Sequence, residues 1–124
     1  MGVSAGYAPL TLGTKSIGSI VMPAASAALF ALKPTLDSVS MDGVFRTSTE
    51  LDVLGGMARS TADVAMLTQT ALTDASRKLL PDGSYQKFLT KDFRSLKIGF
   101  VNPVKWSLHA TFVQLPESTA KQIV

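Results

Sequence analysis

Lys15, Ser16 and Ser19 stand within five residues of one another, inside the run Leu12 to Ala24. A serine hydroxyl is a weak nucleophile until a base accepts its proton. A lysine can be that base in a Ser-Lys dyad, but only when burial lowers its pKa. The residues Thr14 to Gly18 read as a loop, which predicts an exposed and protonated Lys15 that is no base. His109 is the only histidine and lies ninety residues beyond Ser19. Its place in a terminal segment predicts a surface residue rather than a general base. Ser19 also has a structural role open to it, as the cap of the turn or helix that follows.

Other chemistries lack their parts. The chain has no cysteine and one histidine, so thiolate and histidine metal clusters are excluded and no metal is expected. No glycine loop precedes a lysine and a hydroxyl residue as a phosphate cradle requires. No cofactor is expected. The five methionines are dispersed, which favours core filling over a binding groove.

Several elements are needed to hold these residues. Met1 to Ala8 read as the end of a buried helix, and Pro9 blocks its continuation. Leu10 to Leu12 read as a short strand running into Gly13-Thr14. After Ser19 the chain is either an apolar turn or short helix, with Pro23 in its first turn, or extended through Val21. Leu29 to Lys33 read as a buried strand closed by Pro34. Residues 35 to 57 carry turn signals, Asp42-Gly43 and Gly55-Gly56, among short apolar pairs. Ser60 and Asp63 form a capping-box-like helix start. Val64, Leu67 and Ala71 then keep helical spacing, with Ala65 and Leu72 beside them, to an end near Thr73. Pro81-Asp82-Gly83 is a turn. Leu96 to Val101 read as a strand, and Pro116 as the start of a last helix. Alternating strands and helices predict an α/β layer architecture.

A chain of 124 residues fits one domain. Its 46% apolar and 17% charged composition excludes intrinsic disorder and points to more apolar surface than a small domain hides. Between Arg77 and Lys105 seven basic residues face two acidic ones, but they are spaced rather than clustered. A solvated surface is expected there, with no nucleic-acid partner. Ile17 to Leu32 is uncharged but shorter than the about 20 residues of a membrane span, and Pro23 interrupts it. Neither membrane insertion nor a signal peptide is expected. The lack of cysteine fits a reducing, cytoplasmic compartment.

Three stretches resemble the amidase-signature family. The run Leu12-Gly13-Thr14-Lys15-Ser16-Ile17-Gly18-Ser19-Ile20-Val21-Met22-Pro23-Ala24 is similar to the second half of that signature. Ala31-Leu32-Lys33-Pro34-Thr35 is similar to the family's Gly-Leu-Lys-Pro-Thr. Gly55-Gly56-Met57-Ala58-Arg59-Ser60-Thr61-Ala62-Asp63-Val64-Ala65 is similar to its Gly-Pro-Met-Ala-Arg-Thr-Val-Ala-Asp-Ala-Ala. The three occur in the family's order and spacing. The resemblance implies a fragment of the amidase-signature fold, a mixed β-sheet flanked by helices. It also implies hydrolysis of carboxylic amides by a Ser-cisSer-Lys triad, with Ser19 as the nucleophile. The backbone N–H groups of Ser16, Ile17, Gly18 and Ser19 would form the oxyanion hole, aimed at a point about 3 Å from the tetrahedral oxygen. Residues 1–101 would be the core fragment and 102–124 a C-terminal extension.

Three departures bear on that loop. Lys15 replaces an acidic residue, Val21 replaces an arginine with its five donors, and Ile17 replaces a glycine, where a β-branched residue disfavours positive φ. The bridging serine and the lysine of the family lie upstream of the position of Met1. The expectation is therefore an amidase-like chain that is catalytically incompetent alone, with Ser19 a vestigial nucleophile. A small amide would be its substrate within a longer chain. The alternative is a non-catalytic pseudoenzyme that binds a full-length relative or another partner through exposed apolar surface. Either way, aggregation or loose packing is expected of the chain by itself.

Overall fold

In a computed structural model, residues 1–89, 92, 94 and 96–99 are described. The chain divides into two compact units, Met1–Lys91 and Asp92–Val124. In the second, the Arg94 guanidinium donates to both Asp92 carboxylate oxygens at 2.9 and 2.7 Å. Residues 96–99 carry no strand. Phe100, Val101, Trp106, His109 and the helix expected at Pro116 lie outside the described residues.

The first unit is built on a three-stranded sheet. Strand β1 is Leu10–Lys15, β2 is Phe30–Leu32 and β3 is Val53–Ala58. The order is β1-β3-β2 and both pairings are antiparallel. Leu10 faces Ala58 and Lys15 faces Val53 across one ladder. Phe30 faces Ala58 and Leu32 faces Gly56 across the other. The α/β expectation therefore stands, with helices packed against a sheet.

The central strand is the element that sequence patterning conceals. Gly55-Gly56 reads as a turn, yet both residues are buried in the middle of β3. Close packing on both faces explains the glycines. A Cβ on Gly55 would meet the Leu32 carbonyl and come within 2.9 Å of Ile20 Cδ1. A Cβ on Gly56 would lie 2.7 Å from Leu67 Cδ2, on the helix across the other face. No side chain larger than hydrogen fits at either point without movement of its neighbours.

Helix α1, Val21–Ser26, follows the loop after β1, with Pro23 inside its first turn. It ends in a Schellman motif: Leu29 N–H bonds Ala24 O at 2.9 Å and Ala28 N–H bonds Ala25 O at 3.4 Å. Ala28 holds the left-handed position of that motif, φ 53°, where glycine is the usual residue. Helix α2, Thr61–Ala71, starts as the sequence predicts. Ser60 Oγ accepts from Asp63 N–H at 3.1 Å and donates to the Asp63 carboxylate at 2.7 Å. Its buried face is Val64, Ala65 and Thr68, with Leu72 at its end. The helix stops two residues before the expected Thr73, because Thr73 caps a further helix, α3, Asp74–Lys78. Thr73 Oγ1 accepts from Ser76 N–H at 3.3 Å there.

The N-terminal residues differ from the helix end expected of them. They form overlapping turns, closed by Ala5 N–H to Met1 O, Gly6 N–H to Val3 O and Tyr7 N–H to Gly2 O, and of these residues only Val3 is buried. After α3 the chain makes two short 3-10 turns, Pro81–Gly83 and Gln86–Phe88. Gln69 Oε1 ties them to α2 by accepting from Ser84 Oγ at 3.0 Å and from Tyr85 N–H at 3.2 Å.

Candidate functional site

Residues 16–20 connect β1 to α1 without regular secondary structure. Two anchors hold this loop. At its start, the Ser16 hydroxyl donates to Oδ1 of Asp52. Oδ2 of the same carboxylate accepts from the N–H groups of Thr47 at 2.5 Å and Ser48 at 3.0 Å. At its end, Ile20 is fully buried. Gly13 and Gly55 face each other across the β1–β3 ladder. Their missing side chains leave the notch that Ile20 fills: Ile20 Cγ1 and Cδ1 lie 3.7 and 2.9 Å from where Cβ atoms would stand. Burying a side chain of this size stabilises by about 1.5–3 kcal/mol, which fixes the point from which α1 departs.

Between the anchors, Ser19 is exposed and Gly18 half-buried, while Ile17 is 84% exposed. Among the described residues, no hydrogen bond engages the Ser19 hydroxyl or the N–H groups of Ile17, Gly18 and Ser19. The Gly18 carbonyl accepts from Met22 N–H at 2.9 Å, folding the loop onto the first turn of α1. The helix cap is Ile20, with no side-chain cap bond, so Ser19 does not serve as the cap. The loop thus presents a hydroxyl and a short row of unengaged amides to solvent.

The departures from the signature fall out differently from what their residue types suggest. Lys15 is not in an exposed loop. It is the last residue of β1, 7% exposed, because the strand runs three residues past Leu12 and pairs Lys15 with Val53. No carboxylate forms an ion pair with it among the described residues. Ile17 needs no left-handed backbone, since positive φ among the described non-glycine residues is confined to Ala28, Asp37 and Asp82. Val21 is the first residue of α1 and partly exposed. A Cβ on Gly18 would press on the Met22 side chain, whose flexible end is exposed and can move.

Asp52 is the residue that sequence reading misses. It is 4% exposed, the one buried carboxylate among the described residues. The Ser16 hydroxyl, and after it the amide of Ser48, hold its carboxyl below the usual carboxylate range. Burial opposes them, while the Thr47 amide and the charge of Arg46 act in the same direction as Ser16. Its sequence signal was faint: it is one of two acids, with Glu50, between a hydroxyl-rich stretch, Thr47 to Thr49, and an apolar one that starts at Val53.

A second surface lies at the other edge of the sheet. A cavity of about 270 Å³ opens between β2, α2 and the last 3-10 turn, lined by Phe30, Leu32, Val64, Ala65, Phe88 and Leu89 among others. Phe30 and Phe88 remain 50% and 59% exposed beside it. Among the described residues no cluster of three acidic or histidine side chains suits a metal ion. No helix among them is long and apolar enough to cross a membrane.

Comparison with known proteins places this loop in a family. The amidase family profile matches residues 2–123. The glutamyl-tRNA(Gln) amidotransferase A-subunit of Chloroflexus aggregans is 40% identical over 101 residues, 78% of this chain and 21% of that protein. Its counterpart in Roseiflexus sp. is 41% identical over the same coverage. Among solved structures, an amidase family protein of Bacillus anthracis superposes with a TM-score of 0.57 at 36% identity, over 63% of this chain and 16% of that one. The native peptide amidase of Stenotrophomonas maltophilia gives 0.55 at 38% identity, over 64% and 17%. The chain spans about a fifth of the length of the curated relatives it matches. With the profile covering nearly every residue and the solved amidases sharing both fold and sequence, the chain belongs to the amidase family.

Proposed function

We propose that this chain carries the nucleophile segment of a hydrolase acting on carbon–nitrogen bonds of carboxylic amides. The observation that supports it most is the Ser19 loop, anchored at Ser16 and Ile20 with the hydroxyl and three amides left unengaged between. In this reading Ser19 Oγ attacks the amide carbonyl carbon. The N–H groups of Ile17, Gly18 and Ser19, joined by Ser16, receive the charge on the carbonyl oxygen. Collapse of the adduct releases the amine, which takes up a proton, and water then hydrolyses the acyl-serine.

The step that needs help is deprotonation of Ser19. No described residue bonds its hydroxyl, and Lys15 is committed to the end of β1. By family resemblance the proton acceptor is a lysine acting through a bridging serine. The chain alone is expected to release no ammonia from simple carboxamides. Turnover by the chain alone that is lost in Ser19→Ala would refute the predicted inactivity and uphold Ser19 as nucleophile. Turnover retained in Ser19→Ala would refute the nucleophile assignment as well. The substrate is a small amide.

The apolar flank favours a second reading, a non-catalytic protein that binds a full-length relative. Half-exposed Phe30 and Phe88 border the cavity beside β2, an edge strand with one side unpaired. Relatives that are themselves subunits of an amidotransferase fit a protein partner, and a cytoplasmic setting suits both readings. Co-elution with a full-length relative in size-exclusion chromatography would support this reading. A monodisperse monomer that captures no such partner would refute it.

A further inference from the structure

Asp52 is outside the chemistry assigned to Ser19, yet it connects more of the site than any other side chain. The β1–β3 ladder ends at Lys15 and Val53. Ser16 and Asp52 are the next residues on each strand, and their side chains continue the pairing one step further. The second carboxylate oxygen gathers Thr47 and Ser48, while the Asp52 N–H bonds the Ser48 carbonyl at 3.1 Å. A buried carboxylate is costly unless its oxygens are bonded, and bonds to an ionised acceptor are stronger than neutral ones. The arrangement is therefore stable with Asp52 charged and bonded on both oxygens, and it weakens when any of the three donors withdraws.

We infer that Asp52 is a positioning residue for the Ser19 loop, transmitting the conformation of residues 44–51 to Ser19 through the single hydroxyl of Ser16. Its functional meaning rests on the nucleophile reading of Ser19; its structural content does not. Ser16 and Ile20 leave only residues 17–19 between fixed points. Release of the first point loosens residues 17–19, and the exposed Ser19 among them, leaving them held by Lys15 in the ladder, by the Gly18–Met22 bond and by Ile20. One other charged group bears on Asp52, Arg46 in the loop 44–51.

The test is an acid titration of the full 15N-labelled chain followed by amide NMR. In the parent protein the amide signals of Ile17, Gly18 and Ser19 are expected to move together with those of Thr47 and Ser48, at one midpoint below the usual carboxylate range. In Ser16→Ala, Thr47 and Ser48 are expected to keep responding while the response of residues 17–19 is lost. That variant removes one hydroxyl and leaves Asp52 its two amide bonds, so it preserves the fold. Asp52→Asn is expected to abolish both responses. Signals of residues 17–19 that stay flat in the parent, or still move in Ser16→Ala, overturn the inference. Ser19→Ala keeps the response whatever an amide-hydrolysis assay returns, so failure of the catalytic reading and failure of this one are told apart.

Discussion

The Ser19 loop and the segment 74–89 contradict what their secondary structure suggests. The loop has none, yet it is tied at both ends to fully or nearly buried groups, Ile20 and Asp52. The segment 74–89 is a succession of α3 and two 3-10 turns, yet none of its residues is buried. Leu79 is 85% exposed and Phe88 59% exposed. Short helices with no buried face gain little from packing, and local turns of this length are marginal alone. The contrast predicts that positional order here follows burial and charged hydrogen bonds, not helical dihedrals. The nucleophile proposed above needs that kind of order, whereas the partner surface proposed above can do without it.

Mutation can break or sharpen that contrast. The largest effect is expected from Ile20→Ala, which empties the notch over Gly13 and Gly55 and should cost about 2–5 kcal/mol in urea unfolding. Gly55→Ala attacks the same notch from the sheet side. Its Cβ meets a backbone carbonyl as well as Ile20, and a loss of about 1–3 kcal/mol is expected from thermal melts. On the other side of the comparison, Gln69→Ala removes the acceptor shared by Ser84 and Tyr85. A loss of about 0.5–1.5 kcal/mol is expected, with faster proteolysis confined to residues 81–89. If Gln69→Ala instead costs more than Ile20→Ala, the ranking of the two regions is wrong.

Acid should separate the regions too. Asp52 has a lowered carboxyl pKa in the folded chain, so its contribution to stability is complete above the ordinary aspartate value of about 3.9. That contribution is lost as the pH falls through the lower folded value. Stability of the parent should therefore drop below about pH 4, and the drop should shrink in Asp52→Asn, as read from urea midpoints across pH. The exposed pair of Lys87 and Asp82 in segment 74–89 should add nothing measurable to that limb.

The legible parts of the fold were those written in neighbouring residues. The Ser60 and Asp63 capping box announced α2 because both partners lie within one turn. Pro23 was compatible with the first turn of α1, as it proved. The strand expected over Leu29 to Lys33 was found at Phe30–Leu32 from its apolar run and Pro34, but it is not the buried strand expected: Phe30 is exposed and Ala31 and Leu32 are only partly covered, because β2 lies at the edge of the sheet. The misses share one cause. Gly55-Gly56 looks like a turn until its neighbours in space, Ile20, Leu32 and Leu67, are known. Lys15 looks solvated until Val53, 38 positions away, is placed opposite it. Helix α3 was overlooked because its cap, Thr73, follows the end of α2 without a break in polarity.

What the sequence determined by itself is the family, through three motifs in order. It also determined the local signals: the cap of α2, the turn at Pro81–Gly83 and the absence of thiol chemistry. Only the tertiary structure decided which acid serves the loop, why two glycines lie in mid-strand, and that Lys15 is buried. The physical reason is range. Caps and turns are settled by groups three or four residues apart. The Ser16–Asp52 bond closes over 36 residues, and no periodicity in either segment encodes a contact that exists only once β1 and β3 have paired.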